Sequence, residues 1–280
     1  MQLQRAARAI QALVLIVPLS IASSAGAVDT EPVSPDADFT VREITAALFK
    51  AKPSERLDYS NHDLTYLDLS GLDFKGAVLA RSDLYGADFT GSNLKGADLS
   101  HVRLDRSVLI RADLSGANLT GATIFRPTVY DDLSKNLADA PRFSGANLSG
   151  IRVMANLSGA DFRGANLTGA DFTPLESRAG QGTITTLARN VLMSCDFSGA
   201  EMKGVIFDRA ILTFSRFVGA DLSGADFVDA DLSMVDFTGA DLTGANLAGA
   251  DLDGAKLTGA RGLDTAKGLA TAINLDKATR

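Results

Sequence analysis

A large apolar residue returns every five positions along most of this chain. Between Cys195 and Leu257 the sequence divides into CDFSG, AEMKG, VIFDR, AILTF, SRFVG, ADLSG, ADFVD, ADLSM, VDFTG, ADLTG, ANLAG, ADLDG and AKL. The middle residue is Leu or Phe, with Met202 as the exception. The residue two before it is small, Asp or Asn commonly lies between them, and Gly or Ser often follows. A period of five fits neither the helix period of 3.6 nor the strand period of 2, so it signals a repeat architecture.

Parity converts the pattern into geometry. The small residue and the Leu/Phe are two apart, so a short extended segment points both to one face. The next small residue comes three positions later, and a straight strand would turn it outward. A bend after each Leu/Phe returns it to the inside, at the place where Gly, Ser, Asp and Asn collect. The chain therefore turns every five residues around an apolar axis.

Parity leaves the number of sides per circuit open. Phe197, Phe207, Phe217, Phe227 and Phe237 occupy alternate middle positions. Four sides would stack Phe197, Phe217 and Phe237 in one column with Phe207 and Phe227 opposite, whereas three would mix Phe over Leu. The repeat also stops at Phe172 and resumes at Leu192, with register kept, and that gap has the length of one four-sided circuit. The favoured reading is a four-sided coil of about 20 residues, within the range of solenoid repeats.

Units such as ADLSG, ANLTG and ADFTG match A-[DN]-[LF]-x-x, and over residues 57–262 the chain resembles the pentapeptide-repeat proteins. The resemblance implies an all-β solenoid, a right-handed quadrilateral β-helix. It implies little about function, because one fold hosts many roles.

The segments flanking the repeats suggest a domain plan. Residues 1–27 read as a secretory signal peptide: Arg5 and Arg8, the apolar run Ala12–Ile21, and Ala25-Gly26-Ala27 before Val28. Residues 28–56 hold a polar linker and a helix, with Thr40 and Glu43 spaced as a capping box, Val41, Ile44, Ala47 and Leu48 on one face, and Pro53 as the stop. Such a helix suits the capping of a solenoid's apolar end. The repeats occupy 57–262, interrupted at 126–142 and 174–186, with Leu187 back in phase and one four-residue step from Val153 to Leu157. Residues 263–280 read as a C-terminal cap or tail.

Composition narrows the function classes. The chain has 280 residues and a formal net charge of −7. Removal of two arginines with the signal would leave 25 basic against 34 acidic residues, or −9. That balance disfavours nucleic acid as a partner, which binds through phosphate contacts. The signal run is too short for a comfortable membrane span, and no stable span is expected after cleavage. The repeated Asp residues read as turn formers, since the chain lacks the glycine-rich calcium repeat. His62 falls in the small inward slot, His101 at an outward corner and Cys195 in an inward slot, so no catalytic or metal constellation is offered. No cofactor and no enzymatic activity are expected.

Insertions in repeat proteins often lie on a binding face. That makes Tyr130, Asp131, Asp132 and Lys135 in the first interruption, and Glu176, Arg178 and Gln181 in the second, the candidate contacts for a protein partner. The reading is an exported, periplasmic or extracellular, non-enzymatic scaffold of the cell envelope. The alternative comes from the resemblance: some pentapeptide-repeat proteins are acidic DNA-mimicking rods that bind and protect gyrase, a role requiring a cytoplasmic chain.

Overall fold

A computed structural model describes residues 37–52, 54–130, 136–174 and 189–280. One five-residue unit explains most of it. In Ala220–Gly224 every backbone N–H has its own destination, as buried backbone requires. Asp221 N–H donates back to Ala200 O at 3.0 Å, while Leu222 and Gly224 N–H donate forward to Asp241 O and Thr243 O, both at 2.8 Å. Ala220 N–H closes the preceding turn on Phe217 O at 3.1 Å. Only Ser223 N–H is left by the ladder, and the Asp221 carboxylate accepts it at 3.0 Å. The Asp/Asn slot therefore lies on the flat of a side and starts the bend instead of sitting at the corner. Gly224 takes φ +67°, the positive φ that the third residue of a type II turn demands.

The register gives the circuit. Parallel bridges join Asp58 to Val78, Val78 to Asp98 and Asp98 to Asn118, each 20 residues on. A new bridge starts every five residues. Twenty divided by five is four sides; a coil of fifteen is excluded. Counting Tyr59 as side one, Phe217 stacks between Phe197 and Phe237 on side four, with ring centroids 4.8 and 5.3 Å apart. The column continues down through Phe162 and Phe143 at 4.8 and 5.0 Å. Phe207 and Phe227 stack on the opposite side and meet the first column edge-on.

The interruptions differ in size from the expectation. Thr128 still bridges Val108 and Val129 is buried, so the third side is complete and the first break starts after it. Asp113 then bridges Arg142 across 29 residues, nine more than a circuit. The gap from Phe172 to Leu192 is not a missing circuit. Phe172 ends a second side and Leu192 is on the next third side, since Asn156 bridges Val191 and Asp171 bridges Ile206, each across 35 residues. The whole stretch stands in place of one five-residue step, so the gap never bore on the number of sides. Leu187, expected back in phase, lies within it and outside the described residues.

The four-residue step has its own repair. There the short strands β1 (Thr123–Phe125) and β2 (Arg152–Met154) pair in parallel, and the circuit is one residue short, as from Arg142 to Asp161. Asn190 is fully buried beside the corner. Its Oδ1 accepts from Ala155 N–H at 2.8 Å, and its Nδ2 donates to Val153 O and Phe172 O at 3.1 and 2.6 Å. One amide thus satisfies the backbone groups that the missing residue and the second insertion leave behind.

At the N-terminal end, α1 (Val41–Lys50) carries the reciprocal Thr40–Glu43 capping box and sets Ile44 and Leu48 into the core. Lys75 Nζ donates to Leu48 O and Ala51 O at the helix C-terminus, at 2.8 and 2.9 Å. At the other end the coil does not stop at Gly262. Arg261, Lys267, Ile273 and Thr279 bridge Asp241, Asn246, Asp251 and Lys256, so the sides lengthen to six residues and continue. Residues 263–280, expected as a cap or a tail, therefore form a last circuit with short 3-10 turns at Leu269–Thr271 and Leu275–Lys277. The proposed signal peptide lies outside the described residues. Among the described residues no helix is long and apolar enough to cross a membrane.

Candidate functional site

Both insertions leave the coil at the edges of the third side. The first departs from the corner after Val129, between sides three and four; the second replaces the corner between Phe172 and Leu192, between sides two and three. Of the candidate loop residues, Tyr130 is half-buried and is a stem residue. Its hydroxyl donates to Ser158 O at 2.7 Å, on the third side one circuit further along. Burial pushes its phenol pKa up. Asp131, Asp132, Lys135, Glu176, Arg178 and Gln181 lie outside the described residues. The first insertion returns over Leu137, which packs across Gly159 at the next corner; a Cβ there would lie 2.9 Å from Leu137 Cβ.

Between and beyond those stems the third side departs from its own repeat. Its Asp/Asn slot, held by Asn156 in the preceding circuit, takes Val191 and Ile211, bridged to each other, and then returns to Asp231 and Asp251; Val108 earlier on this side and Ile206 on the second side make the same exchange. The cost is local. Thr213 follows Ile211, and among the described residues no group accepts its N–H, while its buried hydroxyl has no partner. The corners after the third side hold Phe214 and Met234 at φ +62° and +58°, where Gly is usual. A bulky residue in that region is an outlier that costs about 1–2 kcal/mol. Phe214 and Met234 are nonetheless 59% and 53% exposed, and Met193 beside them is 37% exposed. The three belong to successive circuits, as Ser194 N–H to Thr213 O and Phe214 N–H to Ser233 O record. Sequence inspection missed this band because each residue alone is an ordinary repeat variation; sorting the substitutions by side would have found it.

The earlier circuits carry arginines on three of their corners. Arg81, His101, Arg106, Arg111 and Arg126 all hold the left-handed corner slot. Tyr66, 64% exposed, meets Tyr85 edge-on at 5.4 Å, and Arg103 lies 4.8 Å above the Tyr85 ring while its Nε donates to Asp83 at 2.9 Å. Where the first insertion is spanned, Asp113 receives both Arg142 at 2.8 Å and Lys95 at 3.1 Å. Burial opposes ionisation of Asp113, but the bonds from Ser115, Arg142 and Lys95 outweigh it and hold the carboxyl well below the usual range.

The remaining candidates are structural. Cys195 is fully buried, its Sγ donates to Leu157 O at 3.2 Å, and burial pushes its thiol up to about 12, so no thiolate is on offer at neutral pH. His62 does occupy an inward slot, but in the first circuit, where its Nδ1 lies 3.0 Å from Asp38 Oδ2 and its ring meets Phe39. His101 stands at a corner across Gly121. Among the described residues no three His, Cys, Asp or Glu side chains converge as a metal site.

The circuit of four five-residue sides is the form taken by a known repeat class. The pentapeptide repeats family model matches in eight copies, over residues 63–96, 88–124, 136–173, 191–233 and 220–259. The chain belongs to the pentapeptide repeat family. Among solved structures it is similar to HetL, a pentapeptide repeat protein involved in heterocyst differentiation regulation from the cyanobacterium Nostoc sp. Strain PCC 7120, at 26% identity over 86% of this chain and 94% of that one, with a TM-score of 0.40. It is also similar to QnrB1, a plasmid-mediated fluoroquinolone resistance protein, at 21% identity over 74% and 86%, TM-score 0.29. A pentapeptide repeat protein of the Arabidopsis thaliana thylakoid lumen matches at 35% identity over 38% and 61%, TM-score 0.18. No curated protein matches the chain.

Proposed function

We propose that this chain is an exported, right-handed four-sided rod without catalytic activity, and that it binds a protein partner of the cell envelope through its third side. The observation that carries the reading is the placement of both insertions at the two edges of that one side. Insertions are tolerated on any corner of a coil, since lengthening a surface loop costs little. Two on opposite edges of a single side frame a surface. The export part rests on Arg5, Arg8, the apolar run and Ala25-Gly26-Ala27.

Two measurements test it. N-terminal sequencing of the mature protein is expected to begin at Val28; intact Met1 on soluble protein would overturn export and return the acidic cytoplasmic rod. Cross-linking in an envelope fraction should trap one partner with the full chain. That partner should be lost when each insertion is shortened to a single regular repeat step, and its retention would remove the third side from the reading.

A further inference from the structure

The partner's chemistry can be read from the exposed band. Exposed Leu137, Met193, Phe214 and Met234, with half-buried Val191 and Ile211, form an apolar strip on the third side and its outer corner, resting on the reading that this side binds protein. Scattered surface leucines need no explanation, but contiguous exposed apolar residues do. Here the strip exists against local preference. Ile211 forgoes the bend-starting carboxylate, and Phe214 and Met234 hold a left-handed backbone region that most corners give to Gly. Local conflicts of this kind collect at functional surfaces.

The rim is acidic. Asp231 continues the Val191–Ile211 column, and Asp229 stands at the neighbouring corner; among the described residues neither is ion-paired. Arg209, the nearest corner cation, is already paired with Asp208 at 2.9 Å. A second copy docking the same strip would bring like charges together, so self-association is disfavoured. The complementary surface is apolar with a basic border.

The spacing selects the partner's secondary structure. Corner residues of successive circuits rise by about 4.8 Å, one strand spacing. A helix laid along the coil axis returns its apolar face every ~5.4 Å. An extended segment repeats a face only every ~6.8 Å, and the third side offers no unpaired strand edge to extend. We infer that the third side docks a basic amphipathic helix of a partner protein, its apolar stripe on Met193, Phe214 and Met234 and its Lys/Arg border on Asp229 and Asp231.

The test uses the full chain and labelled peptides of about five helical turns. One has Leu on one helical face and Lys elsewhere; a second replaces Lys by Glu; a third alternates Leu and Lys with period two. Fluorescence anisotropy should show the first binding at least about tenfold tighter than either control. The decisive variant restores the repeat: Val191→Asp, Ile211→Asp, Phe214→Gly and Met234→Gly together. Its denaturant midpoint should hold or rise, and its affinity for the first peptide should fall at least about tenfold. Charge attraction alone predicts the opposite, because the variant gains two carboxylates. Equal or tighter binding by the variant would overturn the proposal. So would equal binding of the Glu peptide, or a wild-type dimer that the variant dissolves. If the loop-dependent envelope partner persists while the helical peptide does not bind, the protein-binding reading stands and the helix assignment falls.

Discussion

Residues 57–126 and 190–257 run the same backbone and use their side chains differently. The first stretch carries 7 Lys/Arg against 9 Asp/Glu, a balance of −2; the second carries 4 against 11, a balance of −7. Inside, the earlier circuits are columns of Leu with Phe74 and Phe89 apart from any stack of their own column, whereas the later ones hold stacked Phe on two opposite sides. Outside, the left-handed corners carry four arginines and Tyr66 early, and Arg209 with Phe214 and Met234 late. The backbone ladder is indifferent to both choices, since its bonds run between main-chain groups. A coil whose fold depends only on the small slot, the Leu/Phe slot and the bend leaves its outer positions free to differ from one circuit to the next.

The largest expected effect tests the slot both stretches share. Leu222 is fully buried in the column. Leu222→Asp places an unpaired charge there and should cost beyond about 4 kcal/mol. Leu104→Asp in the earlier stretch should cost as much, because the packing is equally closed. Denaturant midpoints check both. A mild loss in either stretch would mean its axis admits water.

The next change separates the two interiors. Phe217 touches a ring above and a ring below. Each aromatic pair adds about 0.5–1.5 kcal/mol beyond area burial, so Phe217→Leu should lose about 1–3 kcal/mol. The reverse swap, Leu104→Phe, meets Leu84 and Ile124 in its column and should overfill it. Equal midpoints for Phe217→Leu and wild type would show that the aromatic column adds nothing over Leu.

These interiors were legible in the sequence because burial repeats. The alternating Phe pointed to four sides before any register was known, and the capping-box pair Thr40 and Glu43 marked the start of α1. The breaks were less legible. Val129 fills the slot that Leu or Phe usually fills, so the first break was opened a side too early. The gap from Phe172 to Leu192 mimicked a circuit only because the inserted length and one regular step happen to sum to one. The final circuit was hidden by its change to six residues per side. The surface band was invisible for a different reason: which side a residue occupies depends on the count of every insertion before it.

A pH titration reaches the seam between the two stretches. Burial works against the Asp113 carboxylate, yet Ser115, Arg142 and Lys95 hold the group well below its usual range. A depressed carboxylate stabilises the fold above its unfolded value, near pH 4, and that contribution is lost as pH falls through the folded value. Wild-type stability should therefore drop on acidification below about pH 4. Asp113→Asn should start lower at neutral pH and show a shallower acid slope. An unchanged slope would place the acid sensitivity elsewhere, among the Asp ladders common to both stretches.

The smallest effect compares two slots of identical backbone within the later circuits. At Asp241 the carboxylate accepts Thr243 N–H at 3.0 Å and its hydroxyl at 2.6 Å. At Ile211 the equivalent Thr213 has neither bond. Asp221→Ala, which strips the same support from Ser223, should cost about 0.5–1.5 kcal/mol, since the freed N–H is near water. Ile211→Asp should gain about the same amount, as it gives Thr213 the acceptor its sequence neighbours have. The gain is opposed by Asp231 one strand spacing away, a repulsion the chain already tolerates where Asp221 faces Asp241. Opposite signs for the two substitutions, read as shifts in denaturant midpoint, would establish that the Asp slot serves the bend. They would also show that the apolar band at Ile211 is maintained at the expense of stability. If Ile211→Asp destabilises, the isoleucine belongs to the packing of the coil and not to a surface band.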